Sequence, residues 1–288
     1  MSIHVGTAPD SWGVWFPSDE RQTPWQRFLD EVAMAGYDTI ELGPFGYLPT
    51  DPKRLADELA HRSLKVAGGT LGGDFDARDG WDEMRSRTSA LCDLLESLDA
   101  HYVVLLDAGY SDDGPRDLDK PGWQCVRENL HRLAEYTTAR GIAPVFHPHA
   151  GTTIEYEPQI EQLLELTDPA LVSLCLDVGH HAYPGGEPVS FFRKHHSRVA
   201  YLHLKDVDAG ISRRVRESGQ SFGRAVAEGA FVDLGQGCVD FPALNQVARE
   251  VNFDGWGIVE QDMYPAPFDK PLPIARRNRE YLRKIGVG

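Results

Sequence analysis

A nearly continuous apolar run ends in a carboxylate at Val172-Ser173-Leu174-Cys175-Leu176-Asp177. A second run of this kind reads Tyr102-Val103-Val104-Leu105-Leu106, and it is also followed by an aspartate. Strands of a parallel sheet have this composition because helices cover both of their faces. The two runs therefore indicate strands of a parallel sheet that is covered by helices.

Runs of the same type recur along the 288 residues and alternate with segments of helical spacing. We predict eight strands, at residues 3–8, 38–43, 65–69, 101–107, 142–147, 172–177, 199–204 and 256–260. We predict helices between Thr23-Pro24 and Gly36, and at 81–98, 121–140, 157–167, 241–251 and 271–284. This α/β alternation predicts a single-domain (β/α)8 TIM barrel over residues 1–288. An open doubly wound sheet is the alternative, and the lack of a GxGxxG motif after the first strand weighs against it.

One long segment, Ala209–Gly237, interrupts the alternation after the seventh strand. It carries four arginines and several glycines. Because the segments that follow barrel strands surround the barrel mouth, we predict that it forms a lid or a subunit contact. A homo-oligomer is the arrangement that such a contact would serve. A solvated loop is the other interpretation.

The charge balance limits the kinds of partner. Asp and Glu number 44 against 29 Lys and Arg, which gives a formal net charge of −15. Such a surface repels phosphate backbones, so we expect no general nucleic-acid binding. No run of about 18 apolar residues is present, so we expect no membrane span. The first residues lack the pattern of a signal peptide and the four cysteines form no CxxC pair, which predicts reduced thiols and a cytoplasmic location.

Ionisable residues follow the apolar runs at the strand ends where a barrel places its active site. They are Glu41 after strand 2, Asp107 after strand 4, His147-Pro148-His149 after strand 5, Asp177 with His180 and His181 after strand 6, His203-Leu204-Lys205-Asp206 after strand 7, and Glu260-Gln261-Asp262 after strand 8. Burying these groups without partners would cost several kcal/mol each, and a shared cation meets that cost. Imidazole and carboxylate ligands suit Mn, Zn, Co or Fe better than calcium. A water-filled polar mouth with internal salt bridges is the alternative.

Other chemistries lack their motifs. The chain has no GxSxG nucleophile elbow and no GxxxxGK[ST] phosphate loop. Trp12, Trp15 and Phe16 follow the first strand. They either form a wall of a substrate pocket or pack in the core.

The chain resembles the sugar phosphate isomerase/epimerase superfamily, the xylose-isomerase-like TIM barrels, and within it the inosose dehydratase branch. The resemblance is carried by Ala8-Pro9-Asp10-Ser11-Trp12-Gly13, Glu41-Leu42-Gly43-Pro44, His147-Pro148-His149-Ala150-Gly151-Thr152, Cys175-Leu176-Asp177-Val178-Gly179-His180, Leu202-His203-Leu204-Lys205-Asp206, Ser221-Phe222, residues 234–241 and Val259-Glu260-Gln261-Asp262. The superfamily's endonucleases carry histidines after strands 2 and 3, which this chain lacks, so DNA repair is not expected.

The resemblance implies one divalent metal ion, Mn, Co, Zn or Mg, held by residues from strands 5 to 8. Asp177, His203 and Glu260 fall on the family's ligand positions. The family's usual ligand after strand 5 is a glutamate, and His147 occupies that place here. The fourth ligand therefore stays open among His147, His149 and Glu155.

The family's chemistry begins with removal of a proton next to a carbonyl, for which a metal ion and a positioned base are needed. We assign Glu260 as a ligand and a base, and His149 or His180 as the second acid or base. Lys205 either polarises the carbonyl or protonates a leaving hydroxyl, and its alternative is a surface lysine paired with Asp206. Substrate contacts are predicted for Glu41, Glu155, Trp12 and Asp206.

These expectations describe a dehydratase of a keto-cyclitol such as inosose, with a role in inositol catabolism. A ketose or sugar epimerase or isomerase shares the same first step, and so does a lyase that cleaves 3-keto-glycosides. A non-catalytic sugar-binding barrel is the alternative from another class. The expected partner is a small sugar or cyclitol.

Overall fold

The computed structural model describes residues 3–107 and 116–288. In this part of the chain, eight parallel strands close into a barrel and two short strands pair beside it. The strands are β1 (Ile3–Thr7), β2 (Thr39–Pro44), β3 (Lys65–Gly73), β4 (Tyr102–Asp107), β5 (Ala143–His147), β6 (Ser173–Asp177), β7 (Val199–Leu204), β8 (Asp206–Val207), β9 (Phe231–Val232) and β10 (Gly255–Val259). Around the barrel the order is β1-β10-β7-β6-β5-β4-β3-β2. The prediction of a TIM barrel is confirmed, and all eight predicted strands lie within a few residues of their predicted places.

Helices follow the barrel strands and cover the barrel. They are α1 (Trp25–Ala35), α2 (Pro52–Ala60), α3 (Trp81–Ser97), α4 (Lys120–Thr138), α5 (Glu157–Leu166), α6 (Val178–Ala182), α7 (Pro188–His195), α8 (Ala209–Glu217), α9 (Phe222–Ala227), α10 (Phe241–Glu250) and α11 (Pro271–Lys284). The six predicted helices are present. Among the described helices, none is long and apolar enough to cross a lipid bilayer.

Each barrel strand contributes to two apolar layers, because successive side chains point to opposite faces. On β4, Val104 points into the barrel, whereas Val103 and Leu105 pack against the helices. The interior layer is small and consists of Ala8, Ala67, Val104, Val145, Cys175, Tyr201 and Ile258. The continuous apolar runs of the sequence thus follow from burial on both faces.

The predicted insertion forms a folded segment that follows the seventh barrel strand. It contains α8 and α9, and its base is closed where β8 pairs with β9 in antiparallel register. Asp206 organises this base, since its fully buried carboxylate accepts backbone N–H bonds from Val207, Gly235, Gly237 and Val239. Position 237 requires glycine, because a Cβ there would lie 2.3 Å from Asp206 Oδ1.

Asp206→Asn should lower the free energy of unfolding by about 3 kcal/mol, because the new amide nitrogen would face backbone N–H groups in a buried site. Urea unfolding of the purified variant measures this loss. Asp208→Asn is the matched control, since Asp208 caps α8 through the amides of Gly210 and Ile211 and asparagine caps equally well. Equal stability of the two variants would contradict the role given to Asp206.

Candidate active site

Four side chains meet at the carboxyl ends of neighbouring barrel strands. His147 ends β5, Asp177 ends β6, His203 lies on β7 and Glu260 follows β10. Each offers a ligand atom, and these atoms all lie within 4.8 Å of one another. His203 Nδ1 is 3.6 Å from Asp177 Oδ2 and 3.1 Å from Glu260 Oε2. We refer to these four buried residues as the metal quartet.

Asp177 is oriented by the helix that follows it. Its Oδ1 caps α6 by accepting the N–H groups of Gly179 and His180, both at 2.8 Å. Its Oδ2 is buried and forms no hydrogen bond with the described residues, although the Lys205 ammonium lies 3.2 Å away. Burial raises the pKa of this carboxyl, but the Lys205 ammonium and neighbouring imidazoles outweigh burial and hold the pKa well below its usual range. Asp177 therefore presents one charged oxygen to the site.

Glu41 contacts the ring nitrogen of His203 that does not face the other members of the metal quartet. Its Nε2 lies 3.1 Å from Glu41 Oε2, and Thr70 donates a 2.6 Å hydrogen bond to Glu41 Oε1. Metal-binding histidines commonly donate their second N–H to a carboxylate in this way, which fixes the ring and its tautomer. Glu41 was predicted to bind substrate, and the structure instead places it where it orients a ligand of the metal quartet.

Lys205 lies at the centre of the site and is 1% exposed, which rules out the alternative of a surface lysine. Its Nζ is 3.2 Å from Asp177 Oδ2 and 3.1 Å from Glu260 Oε2. It also lies 3.1 Å from Asp262 Oδ2 and 2.8 Å from His180 Nε2. Burial lowers the pKa of Lys205, but the carboxylates around it raise that pKa well above its usual value. The side chain is a permanent positive charge inside the barrel mouth.

Two further histidines pack beside Lys205. The ring centroids of His149 and His180 are 3.6 Å apart, and His149 Nδ1 lies 2.7 Å from the carbonyl oxygen of Ala150. Burial and the Lys205 ammonium lower the pKa of His149 to about 3. Burial, with His149 and Lys205, also lowers the pKa of His180 well below its ordinary value. Both imidazoles are therefore neutral near pH 7.

The metal quartet fits a divalent cation. Among the described residues, Asp177 Oδ2 and His203 Nδ1 are buried atoms that form no hydrogen bond, and they lie 3.6 Å apart. Burial lowers the pKa of His203, but Cys175, Glu260 and Glu41 together raise it well above its ordinary value. Two imidazoles with two carboxylates are a donor set that transition metals and zinc accept.

Three residues that were predicted to contact substrate make contacts within the protein instead. Trp12 is fully buried in the core, where its Nε1 donates to Glu31 and its ring packs on Phe28, which corrects the expectation that it walls the pocket. The carboxylate of Asp206 bonds backbone amides below the insertion. Glu155 accepts the N–H of Gly151 within the loop after β5, and burial raises its pKa. Of the three proposed fourth ligands, only His147 belongs to the metal quartet within the described residues.

The structure adds residues that the sequence interpretation left without a role. Asp10 and Asp262 face Lys205, at 3.9 and 3.1 Å from its Nζ. Phe222 of α9 lies over the two histidines, with ring centroids 5.3 Å from His149 and 5.4 Å from His180. All three lie in motifs that carry the family resemblance, and Asp262 also follows the eighth predicted strand.

Comparisons with known proteins agree with this geometry. The profile of the xylose isomerase-like TIM barrel family matches residues 29–285. An inosose dehydratase of Clostridium beijerinckii is 28% identical over 98% of this chain and 97% of its own length. An inosose dehydratase of Bacillus licheniformis is 32% identical over 89% of this chain and 87% of its own. The crystal structure of the IolI protein with a bound zinc atom superposes with a TM-score of 0.75 and 16% identity, covering 98% of each chain.

Asp177→Ala should reduce bound metal from about one ion per chain to about a tenth of that or less, because it removes a charged ligand. His149→Ala should keep its metal, since His149 lies outside the metal quartet. Elemental analysis of the two purified variants after loading with Mn²⁺ or Zn²⁺ checks both statements. A full metal complement in Asp177→Ala would contradict the ligand assignment.

Lys205→Gln should destabilise the metal-free protein by about 3 kcal/mol, because breaking a buried ion pair leaves its carboxylates unpaired. A divalent ion should then raise the melting temperature more in this variant than in the parent, since it neutralises the same carboxylates. Thermal unfolding with and without metal measures both effects. Lys53→Gln, at an exposed ion pair on α2, is the control. If metal raises the melting temperature of Lys205→Gln by the same amount as that of the parent, then Lys205 and the ion do not neutralise the same carboxylates.

Proposed function

Because the chain belongs to the xylose isomerase-like TIM barrel family, we propose that it is a metal-dependent dehydratase of a keto-cyclitol of the inosose type. The observation that carries the proposal is the position of the metal quartet beside Lys205, His149 and His180 in one buried site. Relatives of nearly the same length that are named inosose dehydratase support the substrate class. Cytoplasmic inositol catabolism is the corresponding cellular role.

His147, Asp177, His203 and Glu260 would hold the divalent ion. When bound, this ion supplies positive charge to the substrate's carbonyl oxygen and so acidifies the neighbouring C–H. Zinc is one candidate, since it is bound in the structurally similar IolI protein, and Mn, Co and Mg are others. Lys205 adds a fixed ammonium that stabilises negative charge developing in the same place.

The hydrogen bonds of the two histidines suggest different roles for them. If Nδ1–H of His149 donates to the Ala150 carbonyl, its lone pair is on Nε2, and this atom is our choice for the base that accepts the α-proton. Lys205 donates to His180 Nε2, which places the proton of the neutral His180 ring on Nδ1. His180 Nδ1–H then serves as the donor to the departing hydroxyl, while Nε2 takes the proton that Lys205 donates, so the ring stays neutral. The departing hydroxyl leaves as one water, and the proton accepted by His149 returns through solvent to Lys205, which restores the starting state.

The insertion is proposed as the lid of this site. His149 is 7% exposed, His180 is 1% exposed and the metal quartet is buried, so a six-membered ring enters only if a covering element moves. Phe222 on α9 covers both histidines and stacks on Trp15 across the mouth. Gly219 and Gly229 flank α9 with positive φ, and a Cβ at either would meet no atom within 4 Å. This glycine-flanked helix is our choice for the moving part.

Incubation of the metal-loaded protein with 2-keto-myo-inositol should produce dione absorbance that a chelator abolishes. Proton NMR in deuterium oxide should show exchange of the α-proton. His149→Ala should lower kcat by about 100-fold or more, because general-base catalysis of this kind contributes 100-fold to 10,000-fold. His61→Ala, an exposed histidine at the end of α2, is the control.

The outcomes separate the candidate reactions. Deuterium uptake without absorbance would replace the dehydratase by an epimerase or isomerase. Cleavage of a 3-keto-glycoside, with neither dione absorbance nor deuterium uptake from 2-keto-myo-inositol, would identify the glycoside lyase. Binding of a polyol with no turnover of any keto-sugar would leave a sugar-binding barrel.

A further inference from the structure

Two carboxylates with no part in the metal quartet face the interior of the site. Asp262 is 6% exposed, and its Oδ2 forms no hydrogen bond with the described residues. Asp10 accepts the N–H of Ser11 through Oδ1, whereas its Oδ2 is also buried and forms no hydrogen bond within the same part of the chain. A buried acceptor that lacks a partner is costly to the fold. Apart from the Lys205 ammonium, which lies 3.1 Å from Asp262 Oδ2 and 3.9 Å from Asp10 Oδ2, the described residues give these two oxygens no partner that forms a hydrogen bond.

The segments that carry these carboxylates are tied to each other. Ser11 Oγ donates to the carbonyl oxygen of Val259 at 3.3 Å and accepts the N–H of Gln261 at 3.0 Å. Thr7 Oγ1 donates to the same carbonyl at 2.9 Å. The strands beneath them, β1 and β10, are paired in register. The carboxylates are therefore positioned before any ligand arrives, which is how a recognition site avoids an ordering cost.

Lys205 connects the two carboxylates to the reacting groups. Its Nζ lies 3.1 Å from Asp262 Oδ2 and 3.1 Å from Glu260 Oε2. Asp262 Oδ2 is also 3.4 Å from His180 Nε2. A ring bound at the metal quartet would consequently present its more distant substituents to Asp10 and Asp262.

We propose that Asp10 and Asp262 form a subsite that binds neighbouring hydroxyl groups of an uncharged polyol ring. The proposal rests on the proposed function and deepens it, because it specifies the substrate class. Hydroxyl groups donate hydrogen bonds, and carboxyl oxygens accept them. A cyclitol carries a hydroxyl on nearly every ring carbon and so fills both acceptors.

The same pair excludes phosphorylated substrates. Asp10, Asp262 and the carboxylates of the metal quartet surround one ammonium, Lys205. A phosphate group placed among them would meet like charges without the arginine fork that commonly binds phosphate. The substrate is therefore a free polyol ketone rather than a sugar phosphate.

Calorimetry with myo-inositol tests the subsite without turnover, since this ring has the hydroxyls but no carbonyl. Asp262→Asn and Asp10→Asn should each weaken its binding to the metal-loaded protein about tenfold, which is the loss expected for one charge-assisted hydrogen bond. Asp269→Asn, an exposed carboxylate in the loop that also carries Asp262, should bind like the parent. An inositol monophosphate should bind at least about tenfold more weakly than myo-inositol.

Deuterium exchange distinguishes recognition from mere positioning of Lys205. The substrates are 2-keto-myo-inositol and 2-hydroxycyclohexanone, which lacks the distant hydroxyls. Both aspartate variants should raise KM more than they lower kcat. Their loss of kcat/KM should be about tenfold larger for the hydroxylated ketone. Metal content is measured in each variant. If Asp262→Asn does not fold, the test uses Asp10→Asn alone.

Two results would overturn the subsite: no binding of myo-inositol by the parent, or equal binding by the parent and both aspartate variants. Equal losses on both ketones would also overturn it and assign the aspartates to holding Lys205. If the protein turns over neither ketone, the proposed function fails, yet the calorimetry still decides whether the subsite exists.

Discussion

The site depends on one buried ammonium. Removing Lys205 from water costs several kcal/mol, and only nearby carboxylates offset that cost. Asp177, Glu260 and Asp262 supply them at 3.1 to 3.2 Å, each from a different position at the barrel mouth. Because two of these carboxylates also belong to the metal quartet, the lysine and a divalent ion share the same negative charge. We therefore expect metal affinity, local stability and the orientation of His149 and His180 to be coupled.

Strand alternation explains how these groups meet. Side chains two residues apart on a strand point the same way, so a residue that fills the barrel interior is followed by one that lines the mouth. Val145 is followed by His147 and His149, and Tyr201 is followed by His203 and Lys205. Ile258 leads in the same manner to Glu260, the first residue after β10. Asp10 and Asp262 lie beyond the strands, Asp10 in a 3-10 turn after β1 and Asp262 in the segment after β10.

The same rule shows what the sequence could and could not predict. The eight strands and the clustering of polar residues at their ends were predictable because apolar runs and their polar ends are local features. Three members of the metal quartet came instead from the family resemblance, and the fourth stayed open. Asp206 lies one residue beyond Lys205, so it points away from the mouth and binds the amides beneath the insertion. Glu41 behind His203, Trp12 against Phe28 and Phe222 above His149 were not predictable, because each contact joins distant parts of the chain across the closed barrel.

The histidine at the end of β5 completes the charge argument. A glutamate at position 147 would add a carboxylate to a mouth where Lys205 already has Asp10, Asp177, Glu260 and Asp262 around it. With His147 instead, the carboxylates of Asp177 and Glu260 match the charge of one divalent ion. Asp10 and Asp262 are then the carboxyl groups that remain to pair with Lys205. Asp10 and Asp262 then offer acceptor oxygens, which favours a neutral ligand rich in hydrogen-bond donors. The departure from the family's usual ligand and the two carboxylates outside the metal quartet thus favour the same chemistry, an uncharged polyol ketone.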